Sequence, residues 1–153
     1  MSARKLLLFR ARGRVFALDA GVVREILPAS PPTRIPGAPA AVRGLVNVRG
    51  TLVTVVDAAL AIGLADAPAG GGAGAEGEGT GAAGTLVLLE QRSRPVGLVV
   101  DEVLDLVTVG DGALGAGGPV EGLRPGLVAA TGAVGGEPFV ELAADVLLEP
   151  LLA

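Results

Sequence analysis

The stretch GLVNVRGTLVTVVD, residues 44–57, decides the fold. Apolar residues alternate with other residues on either side of Arg49 and Gly50, which is typical of two strands joined by a tight turn. Three further stretches have this form, with turns expected at Arg12-Gly13, near Arg92 to Arg94 and at Gly135-Gly136: KLLLFRARGRVFALD (5–19), TLVLLEQRSRPVGLVV (85–100) and GLVAATGAVGGEPFVEL (126–142). Four strand pairs with short turns predict a mainly β fold made of small barrels, with few short helices.

The two halves of the chain resemble each other. Residues 21–27 (GVVREIL) align with residues 101–107 (DEVLDLV) at an offset of 80. A GLV triplet also recurs, at Gly44 and at Gly126, with an offset of 82. This order predicts a duplicated fold of two barrels packed on each other, with a groove between them. Chance similarity in a chain rich in Val, Leu and Gly is the alternative explanation.

One long segment, residues 66–84 (DAPAGGGAGAEGEGTGAAG), contains little but Gly, Ala, Pro and Glu. Glycine-rich chains lose much entropy on ordering, and these side chains offer nothing to pack, so we expect a flexible loop or linker. We interpret it as a tolerated insertion within a single domain that spans residues 1–153.

The composition excludes most enzyme chemistry. The chain of 153 residues is 50% hydrophobic, contains no Cys, His, Trp or Tyr, and has a single lysine, Lys5. Thiol and imidazole nucleophiles, disulfides and Cys/His metal sites are therefore ruled out. We expect a non-enzymatic protein with no catalytic residues, no cofactor and no metal.

No part of the sequence reads as a membrane span. No apolar run approaches the roughly 18 residues that a spanning helix requires. Near the N-terminus, LLLF is followed at once by Arg10, so this stretch does not form a signal-peptide core. We expect a cytoplasmic protein without direct membrane insertion.

Charge is distributed unevenly along the chain. Residues 1–64 carry nine basic and three acidic groups, whereas residues 65–153 carry three basic and thirteen acidic groups. The formal charges of the two parts are therefore +6 and −10. Such polarity either steers two partners to two faces or makes the two halves attract each other.

Two rival functions have weaker support in the sequence. A nucleic-acid-binding barrel would use the arginines at positions 10, 12 and 14 to neutralise phosphates, but three Phe and no Tyr or Trp leave little for base stacking. An enzyme with paired carboxylates would use Asp101, Glu102 and Asp105, which at this spacing are better interpreted as a solvated face.

Four motifs, taken in order, resemble the CheW-like domain of bacterial chemotaxis coupling proteins: VFALD (15–19), VVREIL (22–27), GLVNVRG (44–50) with the strand TLVTVVD, and VGLVVDEV (96–103). The resemblance runs through nearly the whole chain. It implies two five-stranded SH3-like β-barrel subdomains sharing a core. It also implies a signalling adaptor that couples chemoreceptors to a histidine kinase of a two-component system.

The resemblance further implies a coupling site. Glu25 and Arg49 match a family Glu and Arg that pair with each other and take part in receptor coupling, and Gly44 matches a glycine beside the receptor groove. Apolar side chains that we place near this groove are Val23, Ile26 and Val99. Each of these three is also compatible with ordinary core packing.

The residues Asn47 and Gly50 complete the structural signature. Independently of any resemblance, the fork of Arg49 can hold a carboxylate through two hydrogen bonds and so fix the segment around Glu25. Arg49 therefore either buttresses the fold or contacts a partner directly. The Asn47 amide can satisfy a backbone group beside the turn, which favours a structural role.

The implied partners are two proteins, with no nucleic acid among them. One is the cytoplasmic tip of a chemoreceptor, bound as a helical hairpin in an apolar groove, and the other is the regulatory domain of a CheA-like kinase. We expect the free protein to be monomeric and to be recruited to membrane-associated receptor arrays. Leu142 is followed by Ala143 where the family has an acidic residue, so a divergent paralogue that binds only receptor or only kinase is the alternative.

The glycine-rich segment generates the first prediction. Deleting residues 70–80 should change neither the melting temperature nor partner binding, because shortening a surface loop alters the closure entropy by only about 0.6 kcal/mol per halving. Thermal unfolding monitored by circular dichroism checks this. Loss of folding after the deletion would show that the segment is not a linker.

Overall fold

The computed structural model describes residues 3–64, 84–91, 93–110, 114–116, 123 and 126–152. Within these ranges the chain forms short strands with two helices and a 3-10 turn at Ala20–Val22. None of the helices in the described ranges is long and apolar enough to span a membrane. The elements are β1 (Ala3–Ala11), β2 (Arg14–Asp19), β3 (Val23–Pro28), β4 (Val42–Val48), β5 (Thr51–Asp57), α1 (Ala58–Ile62), β6 (Thr85–Gln91), β7 (Arg94–Val100), β8 (Glu102–Gly110), β9 (Gly115–Ala116), β10 (Val128–Val134), β11 (Glu137–Leu142) and α2 (Ala144–Leu152).

The strands build two sheets that exchange hairpins. The six-stranded sheet has the order β8-β1-β2-β11-β10-β9, and the five-stranded sheet has the order β3-β6-β7-β5-β4. The N-terminal hairpin β1–β2 thus lies among strands of the second half, and the hairpin β6–β7 lies among strands of the first half. Each inserted hairpin makes one parallel contact, β2 with β11 and β7 with β5. Neither half of the chain completes a sheet alone.

The strand registers confirm the predicted duplication. Phe9 lies opposite Val103 in the first sheet, and Leu89 lies opposite Val23 in the second, which reproduces the offset of 80 for both strands of each pair. Each pair also carries a bulge at the same place, one residue after Val23 and one residue after Val103. The duplicated unit therefore includes the irregularities of the ladder as well as its regular part.

The second alignment, of Gly44 with Gly126, is wrong. Gly44 lies within β4 opposite Val55, next to a bulge, and the matching position in the ladder of β10 is Ala130, opposite Glu141. The offset for these hairpins is therefore 86. Gly126 precedes β10 and lies in a turn. The GLV triplets coincide by composition and not by position in the fold.

The sixth strand of the first sheet has a counterpart in the second. The two-residue strand β9 pairs Gly115 with Thr131 of β10, and an isolated bridge pairs Thr33 with Leu45 of β4 at the matching place. Each sheet thus has five main strands and one short bridging segment. The mainly β fold with two subdomains is confirmed, while closure of each sheet into a barrel stays a prediction.

All four predicted hairpin turns are present. At three of them both central residues have positive φ, as type I′ turns require to match the twist of the strands: Arg12-Gly13, Arg49-Gly50 and Gly135-Gly136. The turn between β6 and β7 includes Ser93, also with positive φ. Two of these turns carry an arginine in a left-handed conformation that glycine adopts more readily.

Three clusters of apolar side chains stabilise the sheets. The shared core lies between the sheets and includes Phe9 and Phe16 of the first sheet, whose ring centroids are 5.9 Å apart, and Val87 and Leu98 of the second. Helices α1 and α2 add buried side chains to it. A first-sheet core contains Leu6, Leu8, Val15, Ala17, Val109 and Phe139, and a second-sheet core contains Val46, Val53, Val55 and Leu86. Successive side chains of a strand point to opposite faces of its sheet. One face of each sheet therefore supplies apolar side chains to the shared core, and the other supplies them to the core of that sheet.

Most of the predicted linker, residues 66–84, lies outside the described residues. Its last residue, Gly84, is described and lies against β7. The N–H of Ala29 donates to Gly84 O over 3.4 Å, and a Cβ on Gly84 would lie 2.7 Å from Val100 O. Gly84 therefore belongs to the start of the β6–β7 hairpin and not to a free loop.

An ion pair with a buried carboxylate joins the first strand to the last. Glu141 on β11 is 2% exposed and accepts hydrogen bonds from Arg4 on β1, with 2.9 Å from Nη1 to Oε1 and a second contact between Nη2 and Oε2. Arg4 also contacts Asp19, at 3.3 Å. The hydrogen bond that Arg4 donates to Glu141 is the main reason that the pKa of Arg4 is raised.

This ion pair generates a prediction, and the duplication indicates which second variant tests it. Arg4→Ala leaves the buried carboxylate without its cation and should lower the free energy of unfolding by about 2–3 kcal/mol, at the low end for such pairs because Arg4 is 34% exposed. The residue that matches Glu141 in the other sheet is Val55. The double variant Arg4→Ala/Glu141→Val should therefore recover most of the loss. Urea unfolding checks both, and a double variant less stable than Arg4→Ala would contradict the argument.

Candidate functional site

The pair of Glu25 and Arg49 forms a clamp between two strands that stand at opposite ends of the five-stranded sheet. Glu25 is on β3, and Arg49 is in the turn that joins β4 to β5. Arg49 Nη1 donates to Glu25 Oε1 over 2.6 Å, and Nη2 donates to Oε2. Since β3 and β4 are the first and last strands of the sheet, this contact draws its two edges together.

The local chain holds Arg49 in place for this contact. Arg49 has φ of 51° and Gly50 has φ of 86°, so both central turn residues are left-handed. Asn47 Oδ1 accepts a hydrogen bond from the N–H of Gly50 over 2.7 Å, which is the kind of backbone contact expected of this amide. A non-glycine residue in this conformation is strained, and such strain is found often at functional positions.

The clamp is accessible to solvent, and its two charged groups shift each other's pKa. The Arg49 side chain is 69% exposed and that of Glu25 is 31% exposed. Hydrogen bonds from Arg49 hold the pKa of the Glu25 carboxyl below its usual range, and the same bonds raise the pKa of Arg49. The ion pair can therefore be reached by another protein without unfolding of the sheet.

Gly44 allows the segment before β4 to approach the edge of the same sheet closely. Its φ is 145°, and a Cβ at this position would collide with the carbonyl O of Thr33. Thr33 and Leu45 exchange two backbone hydrogen bonds of 2.8 Å across this contact. Gly44 is buried, so its proposed part in a receptor groove would act through the position of Thr33 and the β3–β4 connection.

The structure separates the three apolar residues placed near the groove. Cross-strand neighbours share a face, and Ile26 lies opposite Val87 whereas Val99 lies opposite Leu86. Val23 and Ile26 consequently lie on the face of the shared core, where Val23 is half-buried and Ile26 is 44% exposed. Val99 packs against the second-sheet core. The three side chains therefore do not line one surface, although Val99 and the clamp share a face.

The arginine-rich first hairpin is engaged by acidic groups of the second half. Arg10 Nε donates to Glu102 over 3.2 Å, and the N–H of Arg12 donates to Asp101 over 2.8 Å. Arg14 lies over the ring of Phe16, 5.6 Å from its centroid. These contacts weigh against both a phosphate-binding track and a catalytic pair of carboxylates.

Attraction between the oppositely charged halves is visible in the described ion pairs. Three of them join the first half to the second: Arg4–Glu141, Arg10–Glu102 and Arg24–Glu90. The charge asymmetry therefore contributes to the docking of the exchanged hairpins and of β3 onto their neighbours. Steering of partners remains a prediction.

One residue that positions the site was not singled out from the sequence. Thr33 lies in the proline-rich connector PASPPTRIPGAPAAV, which shows no alternation to mark a bridge. The only signal for its partner is the glycine at position 44, since a glycine within a strand often marks a close backbone approach.

The clamp generates a prediction with a defined pH dependence. Because the Glu25 pKa is lowered in the folded protein, the clamp stabilises the fold above the ordinary pKa of a glutamate, and this contribution is lost as the pH falls through the lowered value. In Arg49→Gly, the Glu25 pKa measured by NMR titration should rise. The stability difference from the unmodified protein should shrink as the pH becomes acidic.

A matched control separates the clamp from the backbone effect. Arg12 has φ of 54° in an equivalent turn, so Arg12→Gly gains the same relief of backbone strain without touching Glu25. Arg12→Gly should leave the Glu25 titration unchanged. An identical Glu25 pKa in Arg49→Gly would show that the clamp is absent in solution.

Known proteins resemble this chain in both fold and sequence. Two relatives are a chemotaxis protein CheW of Rhizobium meliloti, 35% identical over 108 residues, and a chemotaxis protein CheW of Bacillus subtilis, 26% identical over 105 residues. The alignments cover 71% and 69% of this chain but only 63% and 60% of the relatives, so the chain matches less than two thirds of their length. The crystal structure of the scaffolding protein TtCheW from Thermoanaerobacter tengcongensis has the same fold, with a TM-score of 0.79, 19% identity, and coverage of 97% of this chain and 89% of that one.

A family model agrees with these likenesses. The CheW-like domain matches residues 5–150, nearly the whole sequence. Membership of this family confirms the expectation of a non-enzymatic protein. The chain belongs to the CheW-like domain family.

Proposed function

We propose that the protein is a cytoplasmic chemotaxis adaptor that couples chemoreceptors to a CheA-like histidine kinase in membrane-associated receptor arrays. The observation that carries this proposal is the family match over residues 5–150, together with curated relatives named chemotaxis protein CheW. The likeness to a scaffolding protein of the same fold supports a role in assembly.

The clamp supports assignment of the receptor contact to the β3 side of the five-stranded sheet. Glu25 and Arg49 are accessible there, and Ile26 presents a 44% exposed aliphatic side chain on the neighbouring face. A receptor helical hairpin would bury apolar side chains against Ile26 while Arg49 keeps β3 aligned with the β4–β5 turn. Arg49 would then act both as a buttress and at the edge of the interface.

The mechanism requires no chemistry. Two modest interfaces on one rigid body fix the geometry of receptor and kinase, so that a small rearrangement of the receptor changes the free energy of kinase states. The shared core favours such rigidity, because a displacement of one sheet is resisted by side chains packed against the other. The kinase contact would use the open ends of the two subdomains.

A three-way binding titration tests the proposal. The full chain is titrated with the receptor cytoplasmic fragment and with the kinase regulatory domain of its own organism, at low and at high salt. Arg49→Gly should weaken receptor binding by about tenfold, because the clamp no longer aligns β3 with the adjoining turn. A tenfold loss is about 1.4 kcal/mol, more than truncation of most interface residues costs. Arg12→Gly should leave receptor binding unchanged.

The outcomes divide clearly. Binding to both partners supports coupling. Binding to one partner only identifies a divergent paralogue that competes with or diverts a coupling protein. Binding to neither, with circular dichroism showing a folded chain, contradicts the proposed function and leaves the fold intact.

A further inference from the structure

The parallel junction between β2 and β11 is shorter than its counterpart in the other sheet. In the five-stranded sheet, β5 and β7 form four residue pairs. In the six-stranded sheet, β11 and β2 form two, which match the first two of those four at the offsets of 86 and 80. The two missing pairs would join Leu142 to Leu18 and Ala143 to Asp19. The ladder between β2 and β11 therefore ends two residues early.

A cavity of about 320 Å³ lies at the end of this shortened ladder. It is lined by three of the four residues of the missing pairs, Asp19, Leu142 and Ala143. The ion pair of Arg4 with Glu141 lines the same cavity. The space therefore coincides with the place where the ladder stops.

Three charged residues at this place match residues without polar side chains in the other sheet. They are, each with its match, Arg4 (Gly84), Asp19 (Val99) and Glu141 (Val55). Val55 lies in the second-sheet core, and Val99 packs against that core. A Cβ on Gly84 would lie 2.7 Å from a backbone oxygen, so a side chain has no room there. The longer ladder is thus accompanied by apolar side chains, and the shorter one by charged side chains.

Arg4 spans the gap that the missing pairs leave. Its guanidinium donates to Glu141 on β11, with 2.9 Å from Nη1 to Oε1, and to Asp19 at the end of β2, over 3.3 Å. Glu141 is 2% exposed, whereas the Arg4 side chain is 34% exposed. Arg4 can therefore turn to solvent, but an ionised Glu141 is costly to keep buried without it.

The same contacts reach the start of β3. Asp19 caps the 3-10 turn Ala20–Val22, because its Oδ1 accepts a hydrogen bond from the N–H of Gly21 over 2.7 Å, while its Oδ2 contacts Arg4. Val22 ends this turn, lines the cavity and immediately precedes β3. A movement of Asp19 toward β11 therefore moves the beginning of β3.

We propose that the junction of β2 with β11 has two states and that the charge of Glu141 selects between them. With Glu141 ionised, Arg4 lies between the ends of the two strands and the ladder has two pairs. With Glu141 neutral, Arg4 turns to solvent, the two missing pairs form, and the ladder has four pairs. The five-stranded sheet shows that the duplicated backbone accommodates this longer ladder.

Acid favours the longer ladder. Its carboxyl at position 141 is protonated, whereas that of the shorter ladder is ionised, so the longer ladder binds one more proton and gains population as the pH falls. The other groups of this kind that line the described part of the cavity are Arg4 on β1, Asp19 on β2, the amide of Gln91 on β6 and Asp145 on α2. Protonation of Asp19 weakens its contact with Arg4 and acts in the same direction. Asp145 is exposed and accepts a hydrogen bond from the N–H of Val146 within α2.

NMR of the full chain tests the two states. Backbone NOE contacts between residues 18 and 142 and between residues 19 and 143 report the two missing pairs. They should strengthen as the pH is lowered from neutral to about 4, near the ordinary pKa of a glutamate. The amide resonances of Val22 and Val23 should shift over the same pH range, because Asp19 connects the junction to β3.

Two double variants separate the junction from other effects of acid. Arg4→Gly/Glu141→Val gives this junction two of the residues of the other sheet and should show the longer ladder at neutral pH, with no further change on acidification. Arg10→Gly/Glu102→Val is the matched control, since it removes an ion pair of 3.2 Å that joins β1 to β8. This control should keep the pH dependence of the unmodified chain.

Two results would overturn the proposal. One is a set of junction NOE contacts that does not change with pH in the unmodified chain, and the other is a two-pair ladder in Arg4→Gly/Glu141→Val at neutral pH. If acid unfolds the chain first, this variant decides the question. If the variant itself fails to fold, Glu141→Gln takes its place, because it removes the charge and keeps the shape of the side chain. None of these measurements involves a receptor or a kinase, so the outcome does not depend on the proposed function.

Discussion

Apolar side chains from both sheets meet in one shared core, and every other feature of the molecule depends on that contact. The core is built from exchanged hairpins, so β1–β2 of the first half and β6–β7 of the second each contribute to a sheet made mainly by the other half. Helices α1 and α2 pack against it, and the aliphatic residues at the β3 and β8 edges lie on its margins. The positions of the clamp and of both edges follow from this arrangement.

The two subdomains retain one backbone plan while their polar contacts have diverged. Arg43 and Asp57 form an ion pair of 2.9 Å in the five-stranded sheet, and the matching residues of the other sheet are Ala129 and Ala143. Glu141 replaces Val55 at a buried position and requires Arg4 to accompany it. Because backbone ladders tolerate many side chains on their margins, a duplicated fold can present two chemically different surfaces with little change in shape.

Alternation and turn residues within short stretches predicted the hairpins, and the similarity between stretches 80 residues apart predicted the repeat. Alternation and turn residues define each hairpin within its own stretch of sequence, so the turns at Arg12, Arg49 and Gly135 could be predicted. The Glu25–Arg49 pair was predicted from the family resemblance. The exchange of hairpins could not be predicted, because alternation shows which residues of a strand share a face but not which strand lies beside it. The bulge after Val23 shifts the alternation of β3 by one residue, so that Val23 shares a face with Ile26 and not with Glu25. Thr33 left no pattern at all.

The exchange of hairpins also determines when the protein can fold during synthesis. The strands β3, β4 and β5 leave the ribosome before β6 and β7, which form the middle of their sheet, so that sheet is incomplete until residue 100 has emerged. The hairpin β1–β2 waits longer, because its neighbour β11 ends only at Leu142. Apolar strands with unpaired edges are thus present until residue 142 has emerged. The exchange of hairpins therefore makes the nascent chain a substrate for cellular factors that protect exposed strands.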